Sequence, residues 1–111
     1  MLPISSTLRM GLQALVRLQG RQYAPAGVTV NAVLPGHTLT DRQTHLAELR
    51  SQREGIGISE AMALQARSIP MGRIAEPDEI AAAAVFLCSQ RAAYVTGTSL
   101  LVDGGLVAGA G

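Results

Sequence analysis

The chain has 111 residues, of which 48% are hydrophobic and 15% are charged, and its formal net charge is +1. These values are typical of one small folded domain and exclude a disordered chain. Because no basic cluster is present and only 3% of the residues are aromatic, nothing favours binding to nucleic acid or to a membrane surface. The longest apolar run, residues 80–88, is too short to span a bilayer, and residues 1–3 do not resemble a signal peptide, so we expect a cytoplasmic protein.

The first predicted element is a helix over residues 5–23. Hydroxyl side chains at residues 5–7 can cap its start, and a turn rich in Pro and Gly at residues 24–27 ends it. Apolar side chains recur along it at helical spacing. They are Leu8, Leu12, Leu15 and Val16.

A strand is predicted over residues 28–33, where a β-branched apolar run without alternation indicates burial on both faces, as in a parallel sheet. Pro35 ends the strand because it has no N–H to donate, and Gly36 permits a sharp turn or a close approach. Two hydroxyls, Thr38 and Thr40, follow. Loops at the carboxyl ends of parallel strands bind ligands in open α/β sheets, so this loop is a candidate site. An ordinary strand-to-helix connection explains the composition equally well.

The remaining elements follow from local signals. A polar helix is predicted over residues 41–54, a break at 54–57, a short helix from Ser59 to about Arg67 and an apolar loop at 69–73. A helix starts at residues 76–79, where a proline and acidic side chains suit a first turn. A second apolar strand is predicted over residues 98–102.

Cys88 is the single cysteine and lies in an apolar helical stretch, where we expect a buried thiol. One cysteine cannot form an internal disulfide, and no spacing typical of metal ligands occurs, so no metal site is predicted.

The elements together indicate an α/β fold with one crossover between two strands. Two parallel strands do not form an independently stable sheet, and both are expected to be buried on both faces. The sequence therefore predicts that further parts of the fold are missing or come from another chain.

Three segments resemble the carboxyl-terminal half of the short-chain dehydrogenase/reductases, in particular the 3-oxoacyl-carrier-protein reductase-like type. They are residues 23–36 (YAPxGVTVNAVxPG), 69–81 (IPMGRxxEPDEIA) and 94–105 (YVTGxxLxVDGG). The resemblance covers residues 5–105, with the motifs in the family's order.

The resemblance implies a partial Rossmann-type doubly wound parallel sheet. Residues 1–111 would be the carboxyl-terminal part of a single NAD(P)-binding domain whose amino-terminal half is missing. It also implies NAD or NADP as cofactor, hydride transfer between an alcohol and a carbonyl of a small molecule, and a homo-oligomer.

By the same resemblance, Pro35, Gly36, Thr38 and Thr40 match the loop that closes on the nicotinamide and a neighbouring phosphate. Exposed backbone groups and hydroxyls suit a carboxamide and a phosphate. His37 on this loop has two interpretations, a contact with substrate or cofactor and, more simply, an exposed loop histidine. Residues 41–72 match the region that covers the substrate, and this region varies within the family.

The chain departs from the family at the catalytic pair. The Gly-rich turn for the pyrophosphate and the catalytic serine have no counterpart here. The family's Tyr-x-x-x-Lys falls at Ser5 and Arg9, and all nine basic residues of the chain are arginine. Arg9 can bond a ribose hydroxyl and supply positive charge, whereas a serine hydroxyl ionises less readily than a phenol. The alternatives are a helix cap for Ser5 and a solvated charge for Arg9.

Three hypotheses about function follow. The chain is the carboxyl-terminal part of an NAD(P)-dependent oxidoreductase, or it is a non-enzymatic assembly or regulatory fragment, or it is an inactive truncated gene product. The residues that distinguish NAD from NADP lie in the missing half of the fold.

Overall fold

The computed structural model describes residues 3–107, with side chains from residue 7 onward. The described residues form two compact units, one of residues 3–34 and 83–100 and the other of residues 35–82 and 101–107. The helices and strands, in chain order, are α1 (Pro3–Tyr23), β1 (Ala32–Pro35), α2 (Asp41–Glu54), α3 (Ile58–Arg67), α4 (Pro77–Leu87) and β2 (Ser99–Val102).

Helix α1 confirms the prediction and begins two residues before it. A 3-10 turn at Ala24–Ala26 ends the helix, and Gly27 follows with φ of 76°. That angle lies in the left-handed region, which glycine adopts without a steric penalty. The chain thereby turns from the helix toward the first strand.

Strand β1 lies at Ala32–Pro35, so the prediction of residues 28–33 was wrong in its bounds. The backbone before it bonds to a turn instead of to a ladder. The N–H of Val30 donates to Thr96 Oγ1 at 3.1 Å, and its carbonyl accepts from the N–H of Gly97 at 2.8 Å. Asn31 donates from Nδ2 to the carbonyl of Val95 and accepts at Oδ1 from the N–H of Thr98, both at 3.1 Å. Apolar content alone does not reveal such pairing.

The two strands are neighbours in one parallel sheet. The N–H of Ala32 donates to the carbonyl of Thr98 at 2.9 Å, and the N–H of Gly36 donates to that of Val102 at 3.0 Å. From the first bond to the second, the donor moves four residues forward, from Ala32 to Gly36, and the acceptor moves four residues forward, from Thr98 to Val102. The two strands therefore run in the same direction. In this chain both strands are only partly buried, because the described residues provide no further strand to pair with them.

Helices α2 and α3 confirm the predicted polar helix and short helix and pack against each other. Thr40 caps α2 by accepting from the N–H of Gln43, and Gly55 ends it with φ of 68°. Gln43, Ala47 and Ala61 are buried in this unit. These boundaries follow from cap residues that the sequence displays.

Helix α4 begins at Pro77, as predicted, and places Leu87 in the buried core of the first unit. The predicted burial of Cys88 was wrong, because its thiol is exposed. The sequence pattern extended the helix to Cys88. The helix ends at Leu87, and Cys88 belongs to the following turn.

Helix α1 leaves many apolar side chains exposed. Leu8 is 69% exposed, Met10 71% and Leu18 67%, while Val16 on the same helix is 5% exposed. Exposed apolar area of this extent costs stability, since burial contributes about 25 cal/mol per Å². The residues described here therefore leave α1 with an apolar face to cover. Among these residues, no helix is long and apolar enough to cross a membrane.

Candidate cofactor-binding loop

The loop that follows β1 lies in the second unit and begins at a tightly packed glycine. Gly36 is so close to Asp103 that a Cβ on it would lie 2.7 Å from Asp103 Cβ and 2.8 Å from Asp103 Cα. Its N–H is bonded to the carbonyl of Val102. Gly36 is therefore required by close packing against the end of β2, and its own N–H is occupied.

The middle of the loop pairs with Ala75 through a single parallel bridge at Thr38. The N–H of Ala75 donates to the carbonyl of His37 at 3.0 Å, and the N–H of Leu39 donates to the carbonyl of Ala75 at 2.8 Å. In a parallel bridge of this kind, the residues before and after Thr38 make both hydrogen bonds to Ala75, and Thr38 itself makes none to it. Within residues 3–107, the N–H and the carbonyl of Thr38 consequently have no hydrogen-bond partner.

The two loop hydroxyls are bonded locally. Thr38 Oγ1 donates to the carbonyl of Gly36 at 3.2 Å, which closes a short turn. Thr40 Oγ1 accepts from the N–H of Gln43 at 3.5 Å, and the carbonyl of Thr40 accepts from the N–H of Thr44 at 3.0 Å. Thr40 thus has a structural role as the cap of α2, and its hydroxyl retains acceptor and donor capacity.

The predicted site residues fall into both units. Pro35, Gly36, Thr38 and Thr40 lie together on the loop, with Pro35 exposed at the end of β1. Arg9 is exposed on α1 in the first unit. The backbone of Ser5 lies in the first turn of α1, which begins at Pro3, so Ser5 is not the cap of this helix, and its side chain lies outside the described residues.

An ion pair that the sequence analysis missed flanks the segment that pairs with the loop. Arg73 Nη1 donates to Glu79 Oε1 at 2.6 Å, and Arg73 Nη2 donates to Glu79 Oε2 at 2.7 Å. Glu79 Oε1 also accepts from the N–H of Glu76 at 2.9 Å. The bonds from Arg73 and then from the Glu76 N–H lower the pKa of Glu79 to about 2. The sequence signals available were an arginine before a helix start and acidic residues in its first turn.

A groove of about 360 Å³ lies beside this ion pair. Asp103 lines the groove, and its carboxylate is hydrogen-bonded, because it accepts from the N–H of Gly105 at 3.0 Å and from the N–H of Val107 at 3.1 Å. His37 lines the groove and is half-buried, so the simple interpretation as an exposed loop histidine is wrong. The described residues contain no cluster of three or more His, Cys, Asp or Glu that suits a metal ion. The other lining residues are Ile69, Met71, Arg73, Ala75, Glu79, Leu101, Val102, Gly104 and Gly105.

A family model described as enoyl-(acyl carrier protein) reductase matches residues 4–107. The chain belongs to the short-chain dehydrogenase/reductase family. This confirms the resemblance found in the sequence and the assignment of a partial Rossmann-type α/β fold.

Among curated relatives, the 3-oxoacyl-[acyl-carrier-protein] reductase FabG of Aquifex aeolicus is 36% identical over 101 residues, which cover 91% of this chain and 36% of that protein. Among solved structures, L-sorbose reductase from Gluconobacter frateurii complexed with NADPH and L-sorbose has a TM-score of 0.87 at 29% identity, covering 96% of this chain and 41% of that one.

A third relative is a short-chain oxidoreductase from Pseudomonas aeruginosa PAO1 described as containing an atypical catalytic center. It is 38% identical, with a TM-score of 0.81, over 95% of this chain and 40% of that one. The chain thus spans well under half the length of the relatives it matches.

Proposed function

We propose that this chain is the carboxyl-terminal part of an NAD(P)-dependent oxidoreductase that interconverts a small alcohol and a carbonyl compound. In this proposal the loop at residues 36–40 holds the nicotinamide end of the cofactor. The observation that carries it is that the N–H and the carbonyl of Thr38 have no hydrogen-bond partner among residues 3–107, on a loop that pairs with Ala75.

The chemistry of these groups matches a nicotinamide carboxamide. A primary amide has one carbonyl acceptor and one NH₂ donor, and Thr38 offers one N–H donor and one carbonyl acceptor. A hydroxyl at Thr40, at the positive end of α2, suits a phosphate oxygen. The bound cofactor would supply the hydride, while the loop's own groups bind and orient the nicotinamide ring.

By the resemblance alone, Arg9 is proposed as a cofactor-binding residue, since its guanidinium group offers five hydrogen-bond donors. Ser5 stands at the position of the family's tyrosine, and its hydroxyl is a weak acid for proton transfer. We therefore expect this chain by itself to bind the nicotinamide end of a cofactor but to have little or no catalytic activity. The Pseudomonas relative is likewise described as containing an atypical catalytic center.

Thermal unfolding of the purified chain, followed by circular dichroism, tests the proposal with NADH, NADPH, reduced nicotinamide mononucleotide and AMP. A ligand that binds only the folded state at ten times its dissociation constant adds about 1.4 kcal/mol of stability. This raises the midpoint by about 5 °C for a domain of this size. We expect both dinucleotides and the mononucleotide to raise the midpoint. A shift with AMP alone, or with none of the four, would contradict the assignment of the loop.

A second candidate function is assembly, and the exposed leucines of α1 favour it. An exposed apolar helix face of this kind marks an association surface. Light scattering after size-exclusion chromatography distinguishes the two candidates. A homo-oligomer whose unfolding midpoint is unchanged by every nucleotide supports assembly alone, whereas a monomer excludes self-assembly.

A further inference from the structure

The middle of the proposed nicotinamide loop is paired with one residue outside it. Ala75 makes two backbone bonds to it, from its N–H to His37 and from the N–H of Leu39 to its carbonyl. These bonds define which groups of Thr38 remain free for a ligand. The position of the Ala75 segment therefore sets the direction of the loop's binding groups.

A single carboxylate fixes the chain on both sides of Ala75. Glu79 lies in the first turn of α4 and is bonded to the Arg73 guanidinium by two parallel bonds of 2.6 and 2.7 Å. The same carboxylate accepts from the N–H of Glu76 at 2.9 Å. Two-bond arginine–carboxylate pairs have defined geometry as well as charge attraction. The residues before and after Ala75 are thus tied to one rigid helix.

A second ion pair in the same unit provides a contrast. Arg50 Nε donates to Glu54 Oε2 at 2.8 Å; the two glutamate side chains are equally exposed, at 39% and 40%, whereas Arg50 is 34% and Arg73 56% exposed. This pair joins residues four apart within α2 and connects no separate segments. Such a pair contributes little and touches no part of the ligand loop.

From this geometry we propose that Arg73 and Glu79 are positioning residues that hold the nicotinamide loop through Ala75. The proposal rests on the proposed function for its ligand, but its structural part, the link from the ion pair to the loop, is measurable without any nucleotide. Neither side chain is assigned a contact with cofactor or substrate.

Amide hydrogen exchange by NMR on the full 111-residue chain tests the link. We expect the amides of Leu39 and Ala75 to exchange about fivefold faster in Arg73→Gln, since loss of a well-formed ion pair loosens its segment by this order. Arg73→Lys restores part of the protection because it keeps the charge but not the two-bond geometry. Arg50→Gln is the matched control and leaves both amides unchanged.

The affinity for reduced nicotinamide mononucleotide is measured on the same variants. We expect it to fall about fivefold in Arg73→Gln and to stay the same in Arg50→Gln. The amides of α2 serve as an internal standard for global stability. Glu79→Gln, which keeps an acceptor for the N–H of Glu76, provides a milder second variant with an intermediate effect.

Unchanged exchange at Leu39 and Ala75 in Arg73→Gln would overturn the proposal. Equal acceleration at the amides of α2 would overturn it as well, because the effect would then be global. A wild-type chain without a dispersed spectrum also contradicts it, since such a chain has no loop geometry to hold. Faster loop exchange in a chain that binds no mononucleotide would support the structural link and reject the proposed function.

Discussion

Gly36→Ala tests the packing on which the candidate site depends. The added Cβ would lie 2.7 Å from Asp103 Cβ, 2.8 Å from Asp103 Cα and 3.3 Å from the carbonyl oxygen of Asp103. Carbon atoms in contact prefer about 3.5–4.0 Å, so the loop and the end of β2 must separate by roughly 1 Å. Neither side yields easily, because Asp103 is fixed by the N–H groups of Gly105 and Val107.

Overpacking of this kind costs about 1–3 kcal/mol. For a domain of this size, a loss of about 2 kcal/mol lowers the unfolding midpoint by roughly 10 °C. Thermal unfolding followed by circular dichroism measures the shift. Gly11→Ala is the matched control, since no atom lies within 4 Å of its added Cβ and alanine is favoured inside a helix. A midpoint for Gly36→Ala within about 2 °C of wild type would refute the packing argument.

Three further predictions concern single side chains and one backbone group. The lowered pKa of Glu79, about 2 against an ordinary 4.5, means that its stabilising effect is present above pH 4.5 and is lost as the pH falls toward 2. Acid titration should therefore destabilise wild type more than Arg73→Gln across that range, and equal acid slopes would contradict the role of the pair. Asn31→Ala removes the bonds to Val95 and Thr98 and should cost about 1–3 kcal/mol in urea unfolding, while a loss below about 0.5 kcal/mol would show that these bonds are replaced by water. Thr38→Pro removes the backbone N–H and should weaken the binding of reduced nicotinamide mononucleotide up to tenfold in a calorimetric titration. Thr38→Ala keeps this N–H and should bind the mononucleotide within about threefold of wild type. Equal losses of affinity in both variants would assign binding to the hydroxyl.

Sequence reasoning succeeded where structure is determined locally. The end of α2 near Gly55 and the start of α4 near Pro77 were predicted, and each of these signals lies within a few residues of the boundary that it sets. The family motifs likewise identified the family, because they are contiguous in the chain; the ligand role of the loop at residues 36–40 stays a prediction.

Two of the three missed features depend on residues far apart in the chain, and the third on the exact end of a helix. The start of β1 was misplaced because Asn31 bonds to residues more than 60 positions away. The apolar helical stretch was extended one residue too far, to Cys88, which follows the end of α4 and is exposed. The free amide of Thr38 depends on the register of its pairing with Ala75, which no local pattern encodes.

The central claim is that the loop at residues 36–40 binds the nicotinamide end of a cofactor, and a two-dimensional NMR titration of the ¹⁵N-labelled chain tests it most directly. With reduced nicotinamide mononucleotide we expect saturable shifts centred on the amide of Thr38 and its neighbours Leu39 and Thr40, and with AMP we expect none at these positions. Shifts that avoid these three amides, or that AMP reproduces there, would contradict the claim.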